Sequence, residues 1–275
     1  MCTLSPGARP LVYAHRGGAA LRPENTIVAF DHGLACGADG LELDVHLSRD
    51  GVVVVHHDAR LDRTTGARGA VSARTAAELA GLDAGYTFRG PEPGEGAFPF
   101  RGRRIGIPRL RDVLERYRRI PLIIELKVNH PDLAERAVDE VHAADAVDRV
   151  AFGSFGARVL QAVRRREPRI RTGASREEAR WALYRSWVRW PLRRPAYREF
   201  QLPERSGATT IISPRFLDHA HRAGLAVHVW TVNEADDIRR LMAWGVDGII
   251  SDRPDVAVAT VRSVRAFAEP ASRDA

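Results

Sequence analysis

Two pairs of charged residues, each spaced two apart, carry the first chemical signal in this chain: Glu42 with Asp44, and Glu125 with Lys127. In a β-strand, side chains two apart project from the same face. The stretch Leu41–Asp58, LELDVHLSRDGVVVVHHD, therefore predicts a strand that shows two carboxylates on one side and Leu41, Leu43 and Val45 to a buried layer on the other. Arg49, Asp50 and Gly51 signal a turn, and the β-branched run Val52–Val55 then returns His56, His57 and Asp58 to the neighbourhood of the carboxylates. Three carboxylates without cysteine are hard oxygen ligands, which favour Mg²⁺, Ca²⁺ or Mn²⁺ over zinc. Arg16 and Lys127 would add fixed positive charge beside such an ion, a combination suited to a phosphoryl group. His15 and His57 are the candidates for proton transfer near neutral pH. The neighbouring His46 and His56 are expected to be structural.

Positioning these residues requires a regular scaffold, and the chain supplies one. Strand patterns start near residues 11, 39, 121, 150, 170, 209, 226 and 247, and helical patterns alternate with them. The sixth strand is expected at Thr209–Ile212, and Asn25 is expected to cap the first helix, Ile27–Cys36. Eight βα units in about 250 residues predict a (β/α)₈ TIM barrel. An open doubly wound sheet is the alternative, but no glycine-rich phosphate loop follows a strand. In a barrel the site lies at the C-terminal ends of the strands. His15 and Arg16 fall there on the first strand, Glu42 and Asp44 on the second, Glu125 and Lys127 on the third, and Trp230 on the seventh. Residues 59–107 break the rhythm with Gly, Ala, Arg and Pro, and stretches such as Gly90–Gly96 cannot pack a core. This segment is expected to be an insertion within a single domain spanning 1–275.

Bulk properties narrow the function class. The 275 residues are 44% hydrophobic and 28% charged, as in ordinary globular proteins, and no run approaches the ~20 apolar residues of a membrane helix. The N-terminal MCTLSPGARPLVY lacks a hydrophobic signal core, which predicts a cytoplasmic protein, and the last few residues look frayed. Cys2 and Cys36 form no disulfide framework or metal-ligand spacing. The net charge of +7 suits phosphate-bearing partners. No recognition motif supports nucleic acid, and the excess reflects a chain that uses arginine for every cation but Lys127. A lone lysine in such a background marks a place where a compact, flexible ammonium is wanted.

The motifs together resemble the glycerophosphodiester phosphodiesterase family. AHRGG at 14–18, PENT at 23–26, ELDVHLSRDG at 42–51, HDARLDRTT at 57–65, IPRLRDVL at 107–114, IELK at 124–127, VWTVN at 229–233 and GVDGIISDRP at 245–254 run in family order over nearly the whole chain. The resemblance implies a TIM barrel with a small insertion after the second strand. It also implies metal-dependent hydrolysis of glycerophosphodiesters to an alcohol and sn-glycerol 3-phosphate. By resemblance His15 and His57 are the acid–base pair, Glu42, Asp44 and Glu125 the metal ligands, Arg16 and Lys127 the phosphate contacts, and Trp230 the aromatic wall of the mouth. Water or the substrate's own 2-hydroxyl could be the nucleophile, and both routes use the same histidines. Two alternatives stand beside this reading: a lysophospholipase D-like enzyme on lipid diesters, and an inactive phospholipid-binding barrel. One departure is SFG at 154–156, where family members often have SFD, and a local helix-start effect is expected there.

Residues 176–200 are unusual, holding three of the five tryptophans and seven arginines. At ~100° per residue, Trp181, Leu183, Tyr184, Trp187, Val188 and Trp190 cover about half of a helix surface. An outer barrel helix that packs its aromatics on the sheet accounts for this. So does a lipid-facing lid giving peripheral membrane contact.

Overall fold

The computed structural model describes residues 9–90 and 96–268. The N-terminal residues with Cys2, most of the Gly90–Gly96 stretch and the expected frayed end lie outside the described residues. The elements in chain order are β1 (Leu11–His15), α1 (Ile27–Ala35), β2 (Gly40–Leu47), β3 (Val53–Val55), α2 (Ala76–Ala80), α3 (Leu110–Arg116), β4 (Leu122–Leu126), α4 (Pro131–Ala143) and β5 (Val150–Gly153). They continue with α5 (Ala157–Arg166), β6 (Arg171–Thr172), α6 (Arg176–Trp187), β7 (Glu199–Pro203), β8 (Arg205–Ser206), β9 (Thr209–Thr210), α7 (Pro214–Arg222), β10 (Ala226–Trp230), α8 (Ala235–Trp244), β11 (Gly248–Ser251) and α9 (Pro254–Ala268).

Eight strands form the wall in the order β6-β5-β4-β2-β1-β11-β10-β7, each parallel to its neighbour. A single bridge between Gly173 and Glu199 brings β6 and β7 together, so the wall is a nearly closed (β/α)₈ barrel. Strand alternation places Leu41, Leu43 and Val45 outward, where they pack with Phe30, Val113 and Leu126 beneath the helices. A second outer core, with Phe200, Phe216 and Ile249, lies under the other half of the ring. Tyr13, Ile123 and Ile250 face inward and plug the barrel beneath the mouth. β3 folds back antiparallel on β2, pairing Val55 with Val45, and so returns the chain to the mouth.

The sixth barrel strand is β7, not the expected Thr209–Ile212. Residues 209–210 pair instead with 205–206 in an exposed hairpin across Gly207, which has φ of +57°. The β-branched run TTII imitates a core strand, whereas the true strand, EFQLP, turns the polar Glu199 and Gln201 into the barrel and shows only Phe200 and Leu202 to the helices. The first helix is also capped differently: Thr26 Oγ1 accepts from Ala29 N at 3.2 Å. Asn25, with φ of +59°, turns toward the barrel mouth. α6 ends at Trp187, before Pro191.

The SFG departure is a helix-start effect. Gly156 stands at the N-cap of α5 with no side chain to offer. Asn129 supplies the cap from outside, its Oδ1 accepting from Val159 N at 3.1 Å, and it occupies the space that a Cβ on residue 156 would need. Asn129→Ala is therefore expected to lower stability by ~1 kcal/mol, the usual value of an N-cap, seen as a reduced Tm with turnover unchanged.

Candidate active site

The mouth is assembled from turns that the sequence forces into uncommon backbone shapes. After β1, Arg16, Gly17 and Gly18 all have positive φ. A Cβ on Gly17 would lie 2.7 Å from the backbone of Ala29, so only glycine lets this turn sit against α1. The turn aims Arg16 N at Glu42 Oε2, 3.1 Å away. It also brings the Arg16 guanidinium to Glu24 (3.1 Å) and Asp44 (3.3 Å).

Register does the rest. β1 sets His15 beside Glu42, and β2 sets Asp44 beside Glu125. Glu42, Asp44 and Glu125 each offer an oxygen, all within 4.8 Å of one another. Lys127 Nζ lies 3.4 Å from Asp44 Oδ1 and 3.2 Å from Glu125 Oε1. Asn25 Nδ2 donates to Asp44 Oδ2 at 2.9 Å, while the buried Asp44 Oδ1 has the Lys127 ammonium nearby but, among the described residues, no hydrogen bond. A buried carboxylate oxygen without a hydrogen bond, in a set of three hard donors, fits a divalent cation. Burial, reinforced by the neighbouring Asp44, pushes the Glu42 carboxyl up to about 8, and burial likewise raises Glu125. Crowded acids of this kind hold a proton until a cation replaces it.

The two histidines share one arrangement. His15 Nδ1 lies 2.6 Å from Asp252 Oδ1, and His57 Nδ1 lies 2.6 Å from Asp58 Oδ1. Each carboxylate accepts from Nδ1–H, which leaves each Nε2 free for chemistry. Burial works against a charged His15, but Glu42, with an oxygen 3.8 Å from Nε2, and the Asp252 hydrogen bond together hold its pKa above the ordinary value. His57 reaches the mouth because His56 N donates to Asp44 O at 2.9 Å. His46 and His56 brace that loop, bonding His57 O at 3.0 Å and Asp58 O at 2.9 Å. Burial lowers the pKa of both, in keeping with neutral structural rings.

The structure also brings in residues to which the sequence reading assigned no role. Asn233 Nδ2 donates to Asp252 Oδ2 at 3.2 Å, and its Oδ1 accepts from Asp252 N at 2.9 Å. Arg63, from the insertion, binds Asp58 (2.6 Å) and Glu24 (2.6 Å) at once. Against the penalty of burial, these bonds hold Asp58 well below the usual carboxylate range and Glu24 at about 2. A continuous chain of charge thus runs from His57 through Asp58, Arg63 and Glu24 to Arg16. All of these residues lay within the quoted motifs, but the distances that pair them, such as 237 positions between His15 and Asp252, carry no local signal. Trp230, the last residue of β10, is edge-on to Phe155 at 6.0 Å and packs on the inner plug of Tyr13, Ile123 and Ile250. Among the described residues no helix is long and apolar enough to cross a membrane.

Comparison with known proteins points the same way. The family model described as the glycerophosphoryl diester phosphodiesterase family matches residues 15–256. A glycerophosphodiester phosphodiesterase of Caldanaerobacter subterraneus subsp. tengcongensis is 33% identical over 259 residues, covering 92% of this chain and 98% of that one. A lysophospholipase D of Mus musculus is 27% identical over 263 residues, covering 88% and 82%. The crystal structure of a glycerophosphodiester phosphodiesterase from Agrobacterium tumefaciens superposes with a TM-score of 0.72 at 29% identity, covering 91% and 99%. With the barrel, the carboxylate cluster and this match over most of its length, the chain belongs to the glycerophosphoryl diester phosphodiesterase family, a family of phosphoric diester hydrolases.

Proposed function

We propose that this protein hydrolyses glycerophosphodiesters to an alcohol and sn-glycerol 3-phosphate, with His15 and His57 as the acid–base pair. The observation that carries the reading is the pair of imidazoles, each fixed at Nδ1 by a carboxylate 2.6 Å away, beside one cluster of three acids, a guanidinium and an ammonium. Glu42, Asp44 and Glu125 would hold a divalent ion, Mg²⁺ or Ca²⁺, which when bound supplies positive charge to a phosphoryl oxygen. Arg16 and Lys127 bind the remaining phosphoryl oxygens and hold charge as the P–O bond breaks. One histidine takes the proton of the attacking oxygen at Nε2, and the other returns a proton to the leaving alkoxide. His15, with carboxylates at both nitrogens, is the better placed to donate. Trp230 and Phe155 wall the glycerol or headgroup side. The barrel and its 59–107 insertion act as one catalytic unit, because Arg63 comes from the insertion.

A second reading takes a lysophospholipid as the diester and places 176–200 against a membrane. The aromatic face of α6 favours it, since Trp181, Tyr184 and Trp187 point into solvent.

The test is release of glycerol 3-phosphate from glycerophosphocholine and, in parallel, from lysophosphatidylcholine, each with Mg²⁺, Ca²⁺ or EDTA. Metal-dependent release from the first substrate is expected. A clear preference for the second would favour the lipid reading, and no release from either with any ion would overturn both.

A further inference from the structure

Helix α6 is built with its large side chains outside. Its barrel face is Ala179, Ala182, Leu183 and Ser186, spaced as one side of a helix and buried. The aromatics occupy the opposite side: Trp181, Tyr184 and Trp187 are 66%, 44% and 49% exposed. Val188 and Trp190, just past the helix, are 70% and 63% exposed. The expectation that these rings pack on the sheet is therefore wrong, because small residues take the contact and leave no room for them. An aromatic side chain that stays in water forgoes the burial of ~150–250 Å². Here the rings run in file along the outer face, Trp181 edge-on to Tyr184 at 6.1 Å and Tyr184 tilted against Trp187 at 5.3 Å.

The lid expectation also needs correction. Arg176, at the start of α6, lies 4.9 Å over Phe155, which is edge-on to Trp230 at the mouth. With ~1.5 Å rise per residue, Trp187 lies about 16 Å further along the helix axis. The file of rings therefore leads from the rim down the flank of the barrel and does not cover the opening.

The surroundings of the file are basic. Arg180, Arg185, Arg189, Arg193, Arg194 and Arg198 are all exposed. Of the nearby acids, Glu178 is already bound to Arg164 and Asp218 to Arg222, while Glu177 in the first turn of α6 is exposed, one acid against six arginines. Beyond Ser186 the chain walls a cleft of about 350 Å³ against α7, whose charged lining is Arg189, Arg215 and the Arg222–Asp218 pair, with His219 beside them. The Nε2 of His219 is shut off from solvent, with no hydrogen-bond partner among the described residues.

We infer that this flank is a docking surface for an anionic phospholipid bilayer, with the file of rings in the interfacial zone and the α6–α7 cleft receiving a headgroup phosphate. Tryptophan and tyrosine favour the boundary between headgroups and acyl chains, and flanking arginines are drawn to anionic lipid. The net charge of +7 adds to that attraction. An acidic protein partner would use the arginines but has no need of three exposed rings along ~9 Å of open helix, continued by Val188 and Trp190 past its end. Docking by the flank leaves the mouth open at the membrane edge, where a lipid diester can enter headgroup first. The inference deepens the lipid reading above, and vesicle binding is measured without turnover, so the two can fail separately.

The experiment is co-sedimentation of the full chain with vesicles of phosphatidylcholine alone and of phosphatidylcholine with phosphatidylglycerol. At low salt, wild type is expected to partition at least tenfold better onto the anionic vesicles, with a blue shift of tryptophan emission. Trp187→Ala with Trp190→Ala, and separately Arg189→Ala with Arg215→Ala, should each reduce that binding about tenfold or more. Both variants should keep wild-type turnover of soluble glycerophosphocholine and an unchanged melting temperature. Failure of the wild type to bind anionic vesicles, equal binding to neutral ones, or unchanged binding by both variants would each overturn the inference.

Discussion

His15→Ala is expected to lower kcat on glycerophosphocholine by about 10²–10⁴-fold, the usual worth of a positioned acid or base, with little change in KM. The ring belongs to no core cluster, so the fold should survive its loss. Asp252→Asn tests how the ring is held. Asn233 Nδ2 donates to Asp252 Oδ2, so an amide at 252 would keep its oxygen there and turn its NH₂ toward His15 Nδ1. That favours the wrong tautomer and opposes the imidazolium. A loss of about 10²-fold or more in kcat is expected. The pH profile separates this from a structural effect. Asp252 and Glu42 raise the His15 pKa, so removing the Asp252 charge lowers it. If His15 is the proton donor, the alkaline limb of kcat moves to lower pH in the variant. A shift of the acid limb instead would give His15 the role of base.

The second large effect concerns the carboxylate cluster. Asp44→Asn should remove divalent-ion binding and cost ~3 kcal/mol of transition-state stabilisation, about a hundredfold in kcat, measured with saturating Mg²⁺. In the wild type, Mg²⁺ at about 100 times its Kd should raise stability by ~2.7 kcal/mol, and EDTA should reverse the gain. The Glu42 carboxyl, pushed up to about 8 from 4.5, gives the sign of the pH effect. Without a cation the folded cluster keeps a proton that the unfolded chain has lost, so stability falls as pH rises from 4.5 toward 8. Ion binding expels that proton, so affinity should weaken as pH falls below about 8. Titration calorimetry in buffers of different ionisation enthalpy reads the released proton directly, and a heat independent of buffer would refute the shared-proton cluster.

The inner shell of this site was legible because strand period two is a strict rule: Glu42 with Asp44, and the buried Leu41, Leu43 and Val45, follow from it alone. The same rule misled at the sixth strand, since the barrel interior beneath the mouth is polar on that side. Glu199 and Gln201 broke the apolar run that marks a strand, while Thr209–Ile212 supplied one on the surface. Helical period shows which residues of α6 share a side but not which side faces in. The small residues decided that, through a close fit that periodicity does not measure. Arg63, Asp252 and Asn233 could be assigned only once the fold had brought distant turns together.

The single bridge between β6 and β7 has a mechanical consequence. Every other pair of neighbouring strands in the wall is stitched by a ladder of at least two residue pairs, and β6 itself has only two residues. Local opening begins where the backbone is least cross-linked, so amide hydrogen exchange in the wall is expected to be fastest at this seam. α6 connects β6 to β7 and so straps the seam from outside. A surface that grips α6 also restrains the hoop at its weakest stave.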